Sequence, residues 1–373
     1  MKSIHRMLSA ALSAAATLVS PLSHSAQVLV GEVCPLSGME ANQGRAYGAG
    51  MQIYFDIINK AGGVNGNTFA LVRKDDRGLP EETVALTHKM LAEERPMVLA
   101  GYFGNGNIED LVASGMLEKE KIALVGYRVT QIRPEAPNLY TVRAGLQDEL
   151  DKFTEHVATV NFKRIGLFYE DGPGAAALVK AAEAASKSAN ITLVATASYS
   201  ARTSEVAKAV AAMTAAAPQA IFMVATGAAA ASFIESYGRG VAQLFAHSGV
   251  DIEQLTKRLA NEQMQGVSIA QVTPNPYKMS NRLIKEFQDA VAEKKDLEVP
   301  VSYAMMEGFI TAKVIVEATK RQGAKPRREG MLAALNSMDF YDLGGYVVGY
   351  KPLSRSGSKY VELTIISGGK IRQ

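Results

Sequence analysis

The sequence predicts an α/β protein built as two doubly wound, parallel-sheet halves, and three observations carry this. At 373 residues the chain exceeds one ordinary core and suits two units of similar size. Short apolar, β-branched runs alternate with amphipathic helical stripes from Val28 to Leu259, with no long low-complexity segment between them. The alternation restarts near Gln147, giving two successive β-α-β halves of about 120 residues each. No strong internal repeat links the halves, so they share architecture only.

The first half begins with Val28, Leu29, Val30 and Val33, a short run expected of a strand covered on both faces. Pro35, Ser37 and Gly38 end it. From Gly44, Tyr47, Met51, Tyr54, Ile57 and Ile58 recur at spacings of three and four, so a helix lays one stripe on a sheet. Lys60, Gly62 and Gly63 supply its basic last turn and its stop. Phe69–Val72, Met97–Ala100, Ile122–Val125 and Leu139–Val142 read as strands, with helices at Glu81–Glu94 and Ile108–Leu117. Glu109 and Asp110 are expected in the first turn of the second of these.

In the second half, Arg164–Tyr169, Ile191–Ala195, Ala220–Val224 and Leu244–Phe245 read as strands. Helices are expected at Asp148–Val160, Ala175–Ser188, Ser204–Ala215, Ala228–Tyr237 and Ile252–Leu259. The last hundred residues form no third half. Tyr277–Lys294 and Tyr303–Arg321 read as long amphipathic helices and Arg328–Leu335 as a short one. Tyr346–Tyr350 and Tyr360–Ile366 are expected to pair as a hairpin around Arg355–Gly357.

Composition excludes several function classes. The chain is 47% hydrophobic and 21% charged, which is ordinary for a globular protein. Lys2 and Arg6 are the only charges in residues 1–26, leaving 38 basic and 37 acidic residues in the remainder. That balance points away from nucleic acid or an anionic membrane surface. Cys34 is the single cysteine, so no internal disulfide is possible, and a small core residue is the expected role. Residues 1–26 read as a cleaved signal peptide. Lys2 and Arg6 form its positive start, Met7–Val19 its alanine-rich apolar run, and Pro21 and Ser23–Ala26 its cleavage region. Thirteen such residues are too few to span a bilayer.

The expected chemistry is binding rather than catalysis. After residue 26 only His88, His156 and His247 remain, far apart, and no metal, nucleophile or phosphate motif is present. Gly104-Asn105-Gly106 lacks the third glycine of a dinucleotide fingerprint. No cofactor and no metal are expected. Polar or glycine-rich loops do follow the strands, at Ser37–Gly44, Tyr102–Asn107, Tyr127–Thr130, Thr226-Gly227 and His247-Ser248. Backbone N–H groups at helix starts are natural receptors for a carboxylate.

Pro35-Leu36-Ser37-Gly38, the glycine-spaced helix, the run Ile58–Gly66 and the strand ending at Asp75-Asp76 resemble the type I periplasmic binding proteins. The leucine/isoleucine/valine-binding proteins of ABC importers are the nearest type, and the resemblance runs to about Lys351. It implies two lobes joined by three chain crossings, near Ala144, Val272 and Phe340. Residues 27–144 plus 273–340 would form the first lobe and 145–272 plus 341–373 the second. It also implies a monomeric periplasmic carrier that closes on a small molecule and hands it to an ABC permease, or a ligand sensor serving a membrane receptor.

The resemblance implies particular site residues. Asn105 and Thr130 stand where those proteins hold the ligand α-carboxylate, Asn105 replacing a serine. Arg128 replaces a small alanine, Gln43 a covering tyrosine, and Gly227 a tyrosine of the second lobe. Ser248 stands where an acid pairs with the ligand ammonium. Tyr102, with Phe103 and Tyr127, flanks the cleft loops, either to stack on a ring or to pack the lobe. An unpaired buried ammonium costs roughly 3–5 kcal/mol. Loss of the acid with gain of Arg128 therefore favours a small carboxylate, aromatic acid or amide, and Ser248→Glu is expected to restore amino-acid binding. Glu170, Asp171 or Glu307 would substitute for the acid if the ligand is an amino acid.

Overall fold

Strand β1 (Gln27–Cys34) lies between two parallel neighbours and sets the register of the first sheet. The computed structural model describes residues 27–130, 136–201, 203–238, 240–350, 357–368 and 370–372. The signal-peptide reading thus falls outside the described residues. After β1 come α1 (Ala41–Lys60), β2 (Thr68–Asp75), α2 (Pro80–Glu93), β3 (Val98–Ala100), α3 (Asn105–Ala113), α4 (Met116–Lys119), β4 (Leu124–Val125) and β5 (Leu139–Tyr140). The sheet order is β2-β1-β3-β4-β5, all parallel, with Gln27 opposite Thr68 and Cys34 opposite Asp75.

The second unit runs α5 (Leu146–Thr159), β6 (Arg164–Asp171), α6 (Ala175–Ser188), β7 (Thr192–Ser200), α7 (Ala207–Ala216), β8 (Ala220–Val224), α8 (Gly227–Tyr237), β9 (Gln243–Ala246), α9 (Ile252–Arg258), α10 (Asn261–Met264) and β10 (Ser268–Gln271). The chain then forms α11 (Arg282–Ala292), α12 (Tyr303–Gln322), α13 (Arg328–Asn336), β11 (Tyr341–Asp342), β12 (Val347–Val348), β13 (Glu362–Ser367) and β14 (Lys370–Arg372). The second sheet is ordered β14-β13-β10-β9-β8-β6-β7, with β13 and β14 joining antiparallel and the rest parallel. Each sheet is covered on both faces, as its continuous apolar strands require.

Three features of the C-terminal part differ from the sequence reading. The expected hairpin does not form: β12 pairs with β11, while β13 pairs with β10, a strand the pattern did not mark. Helix α11 starts at Arg282 rather than Tyr277, because Asn281 caps it by accepting from Ile284 N at 3.0 Å. Leu343, Tyr346, Val348 and Tyr350 pack in the first core and Tyr360 packs against it, beyond the passage near Phe340 that the resemblance implies.

The other two passages run from β5 to α5 and from β10 to α11. The buried Tyr346 hydroxyl lies 2.8 Å from the carbonyl oxygens of both Val142 and Val272, so the segment carrying β11 and β12 is tied to these two passages. Helices α1 and α12 approach almost backbone to backbone. A Cβ at Gly50 would stand 1.9 Å from Met305 O, and one at Gly308 2.0 Å from Tyr47 O. This contact makes α12 a rigid wall of the first lobe. Among the described residues no helix is long and apolar enough to cross a membrane.

Candidate ligand-binding site

The carboxyl ends of both sheets face one cleft, and the loops there carry the polar groups. Arg128 follows β4. Its N–H donates to Tyr102 O at 2.8 Å and its carbonyl accepts from Gly104 N at 3.0 Å, which pins the loops after β3 and β4 together. Gly104 adopts φ 98°, a conformation that favours glycine, and a Cβ there would stand 2.3 Å from Asn107 Oδ1. Helix α3 consequently begins at Asn105, with no acid in its first turn. This corrects the expected start at Ile108: Glu109 and Asp110 lie beyond the turn that faces the cleft.

The side chains form one network across the cleft. Arg128 donates through Nη1 to Gln43 Oε1, its Nε lies 3.2 Å from Glu307 Oε2, and its guanidinium sits 5.1 Å from the centre of the Phe103 ring. Gln43 donates through Nε2 to Glu40 Oε2 at 2.7 Å and to Gly249 O, in the other unit, at 3.2 Å. Arg143, on the first passage, donates to Ser248 Oγ and lies 3.7 Å from both Glu149 Oε1 and Glu307 Oε2. Ser248 in turn donates to Glu149 from its N–H at 2.8 Å and from its hydroxyl at 2.6 Å. Gln43, Arg128, Arg143, Glu149, Ser248 and Glu307 are all buried.

Asn105 Oδ1 accepts from Thr130 N at 2.9 Å and from Thr130 Oγ1 at 3.0 Å, so these two expected residues meet at the start of α3. Gly227 opens α8, whose cap Thr226 accepts from Ala229 N and donates its own N–H to the Tyr199 hydroxyl at 2.9 Å. That hydroxyl donates to Glu170 at 2.9 Å. His247 donates from Nε2 to Ala225 O and accepts at Nδ1 from Gly249 N. These partners match a neutral ring, and burial pushes its pKa down to about 3.

The match to known proteins covers this whole frame. The family described as periplasmic binding protein matches residues 27–355. The chain belongs to that family. A substrate-binding periplasmic protein from Ralstonia solanacearum is 36% identical, with a TM-score of 0.84 over 91% of this chain and 98% of that one. A Leu/Ile/Val-binding protein homolog 7 from Brucella melitensis is 23% identical, over 83% of this chain and 81% of its own length. An amino acid binding protein from Pseudomonas aeruginosa is 32% identical over 78 residues, a stretch spanning only 21% of either chain. The periplasmic binding protein family and its structural neighbours are solute-binding proteins, not enzymes.

Within this periplasmic binding protein the implied residues divide. Gln43, Asn105, Arg128, Thr130 and Ser248 come together at the cleft. Tyr102 does not: it is fully buried in the first lobe, its hydroxyl 3.0 Å from Thr87 Oγ1, so it packs the lobe. Ser248 is committed to Glu149 and Arg143, which removes the basis of the Ser248→Glu expectation, since a carboxylate there would face Glu149. Arg128 is not an unmatched cation either, because Glu307 stands beside it.

Sequence reasoning missed Arg143 and Glu149. Glu149 shares the stripe of Phe153 and Val157, and an acid on an apolar stripe is the signal that marks it.

Glu40, at the rim, is pushed up to about 7 by burial and then by Asp251, with Arg128 opposing. A carboxyl raised in this way binds its proton more tightly folded than unfolded. Its stabilising contribution is complete below about 4.5 and is lost as pH rises through 7. His247 acts in the opposite sense below 6.5, so the comparison must be between variants. Native protein is expected to gain melting temperature relative to Glu40→Gln on going from pH 8 to pH 5. Parallel melting profiles would contradict this.

Proposed function

We propose that this protein captures a small carboxylate-bearing solute between its lobes and delivers it to an ABC permease of the inner membrane. Convergence carries the reading: residues of both lobes and of the first passage meet in one buried polar network. Such a network is expensive inside a fixed interface, where apolar packing does as well or better. At a cleft that opens, the same groups are hydrated in one state and grip a ligand in the other. The start of α3, the Asn105 amide nitrogen and Arg128 supply donors for a carboxylate, while Thr130 holds the Asn105 amide oxygen. Residues 1–26 would be removed on export, and the mature protein would act as a monomer.

Charge shapes the choice of solute. Arg128 and Arg143 are matched by Glu307 and Glu149, so a bare carboxylate adds uncompensated charge to the cluster. That suits an amide or an acid carrying its own donor group. An amino acid is the second reading, favoured by Glu40, which feels Asp251 and Glu170 across the cleft and so lies within reach of an ammonium there.

A thermal-shift screen of carboxylates, amides and amino acids tests both readings. A hit at saturation is expected to stabilise the fold by about 3–4 kcal/mol and to be lost in Arg128→Ala. Small-angle scattering with that hit should show a smaller radius of gyration. An unchanged radius at saturation would refute closure.

A further inference from the structure

Two acids lie in the buried network, and they are not equivalent. Both oxygens of Glu149 accept from Ser248, one from its N–H and the other from its hydroxyl. Glu307 directs Oε2 toward Arg128 Nε and Arg143 Nη1, but its Oε1 is buried with no hydrogen-bond partner. The residue is 2% exposed, so solvent does not reach that oxygen. A buried acceptor without a donor is rare and unfavourable. Ser248 cannot serve as its donor, because its N–H and its hydroxyl proton are both given to Glu149.

We propose that Glu307 Oε1 receives a hydrogen bond from the solute and determines specificity. The solute would then be a carboxylate bearing an N–H or O–H donor close to its carboxylate carbon. This rests on the carboxylate reading of the cleft given above. Glu307 lies on α12 beside Gly308, whose backbone contact with α1 fixes the helix within the first lobe. Recognition of both groups therefore belongs to one lobe and precedes closure. A hydroxyl and an ammonium share the donor chemistry and differ in charge, which a Glu307→Gln substitution separates: the amide keeps an acceptor oxygen and loses the charge.

Titration calorimetry with matched triplets tests this on the full mature protein. Each triplet is an acid, its 2-hydroxy acid and its 2-amino acid on one skeleton, such as 3-phenylpropanoate, phenyllactate and phenylalanine, or propanoate, lactate and alanine. In a skeleton that binds, a donor-bearing member is expected to bind about tenfold or more tightly than the donor-free acid. In Glu307→Gln that margin should collapse for an amino acid and fall less for a hydroxy acid. A donor-free acid that binds the native protein as tightly as its partners would overturn the proposal, without reliance on any variant. So would an unchanged margin in folded Glu307→Gln. If no member of any triplet binds the native protein, the carboxylate reading itself fails, and this inference with it.

Discussion

Arg143→Met is expected to cost about 3–5 kcal/mol of folding stability, the range for breaking a buried ion pair by removing one partner. Methionine fills much of the same volume, so the loss comes from charge rather than from a cavity. Arg143 is almost fully buried and is the only cation within 4 Å of Glu149 among the described residues. Burial already raises the Glu149 carboxyl, with Arg143 the largest opposing influence and the two Ser248 hydrogen bonds next. Without the guanidinium, Glu149 must be protonated in the folded protein, and holding that proton becomes harder as pH rises. The deficit should therefore be larger at pH 8 than at pH 5. Adding Glu149→Gln to Arg143→Met should recover part of it. Urea unfolding at both pH values measures these differences, and a deficit below about 1 kcal/mol, the surface-pair range, would place the network in solvent instead.

The sequence made the frame legible because the frame rests on periodicity. The β1 run, the Tyr47–Ile58 stripe and the loop that follows each strand are local patterns, and each appears where expected. Strand β10 escaped because Ser268–Gln271 is four residues long and carries two polar side chains, Ser268 and Gln271, both buried by neighbours far away in sequence. The false hairpin has the same origin. Val347–Val348 and Glu362–Ser367 each have strand character, but their partners are chosen by tertiary packing, and β13 inserts beside β10 in the other sheet. In the site, loop position revealed Asn105, Arg128 and Thr130. What those residues do depends on partners that local pattern does not show. Arg128 looks like an added cation until Glu307, 179 positions later, is seen beside it.

Gly308→Ala tests how far that partner depends on the scaffold. In an isolated helix the change would help, by about 1 kcal/mol of helix propensity. Here the new methyl would stand 2.0 Å from Tyr47 O, a backbone atom that cannot rotate away. The two helices must separate, and overpacking of this kind costs about 1–3 kcal/mol and occasionally more. Because the obstacle is main chain, the cost lies at the upper end of that range, and a net loss of about 1–2 kcal/mol is expected after the propensity gain. Gly50→Ala should behave alike, since its methyl would meet Met305 O at 1.9 Å. The consequence for binding follows from geometry. Tyr47 anchors the β4 loop by donating to Gly126 O at 2.7 Å and lies 2.6 Å from Thr311 Oγ1 on α12. Pushing α12 outward moves Glu307 relative to Arg128, so affinity for any cleft ligand should fall together with melting temperature. A Gly308→Ala protein as stable as the native one would show that α1 and α12 do not approach this closely.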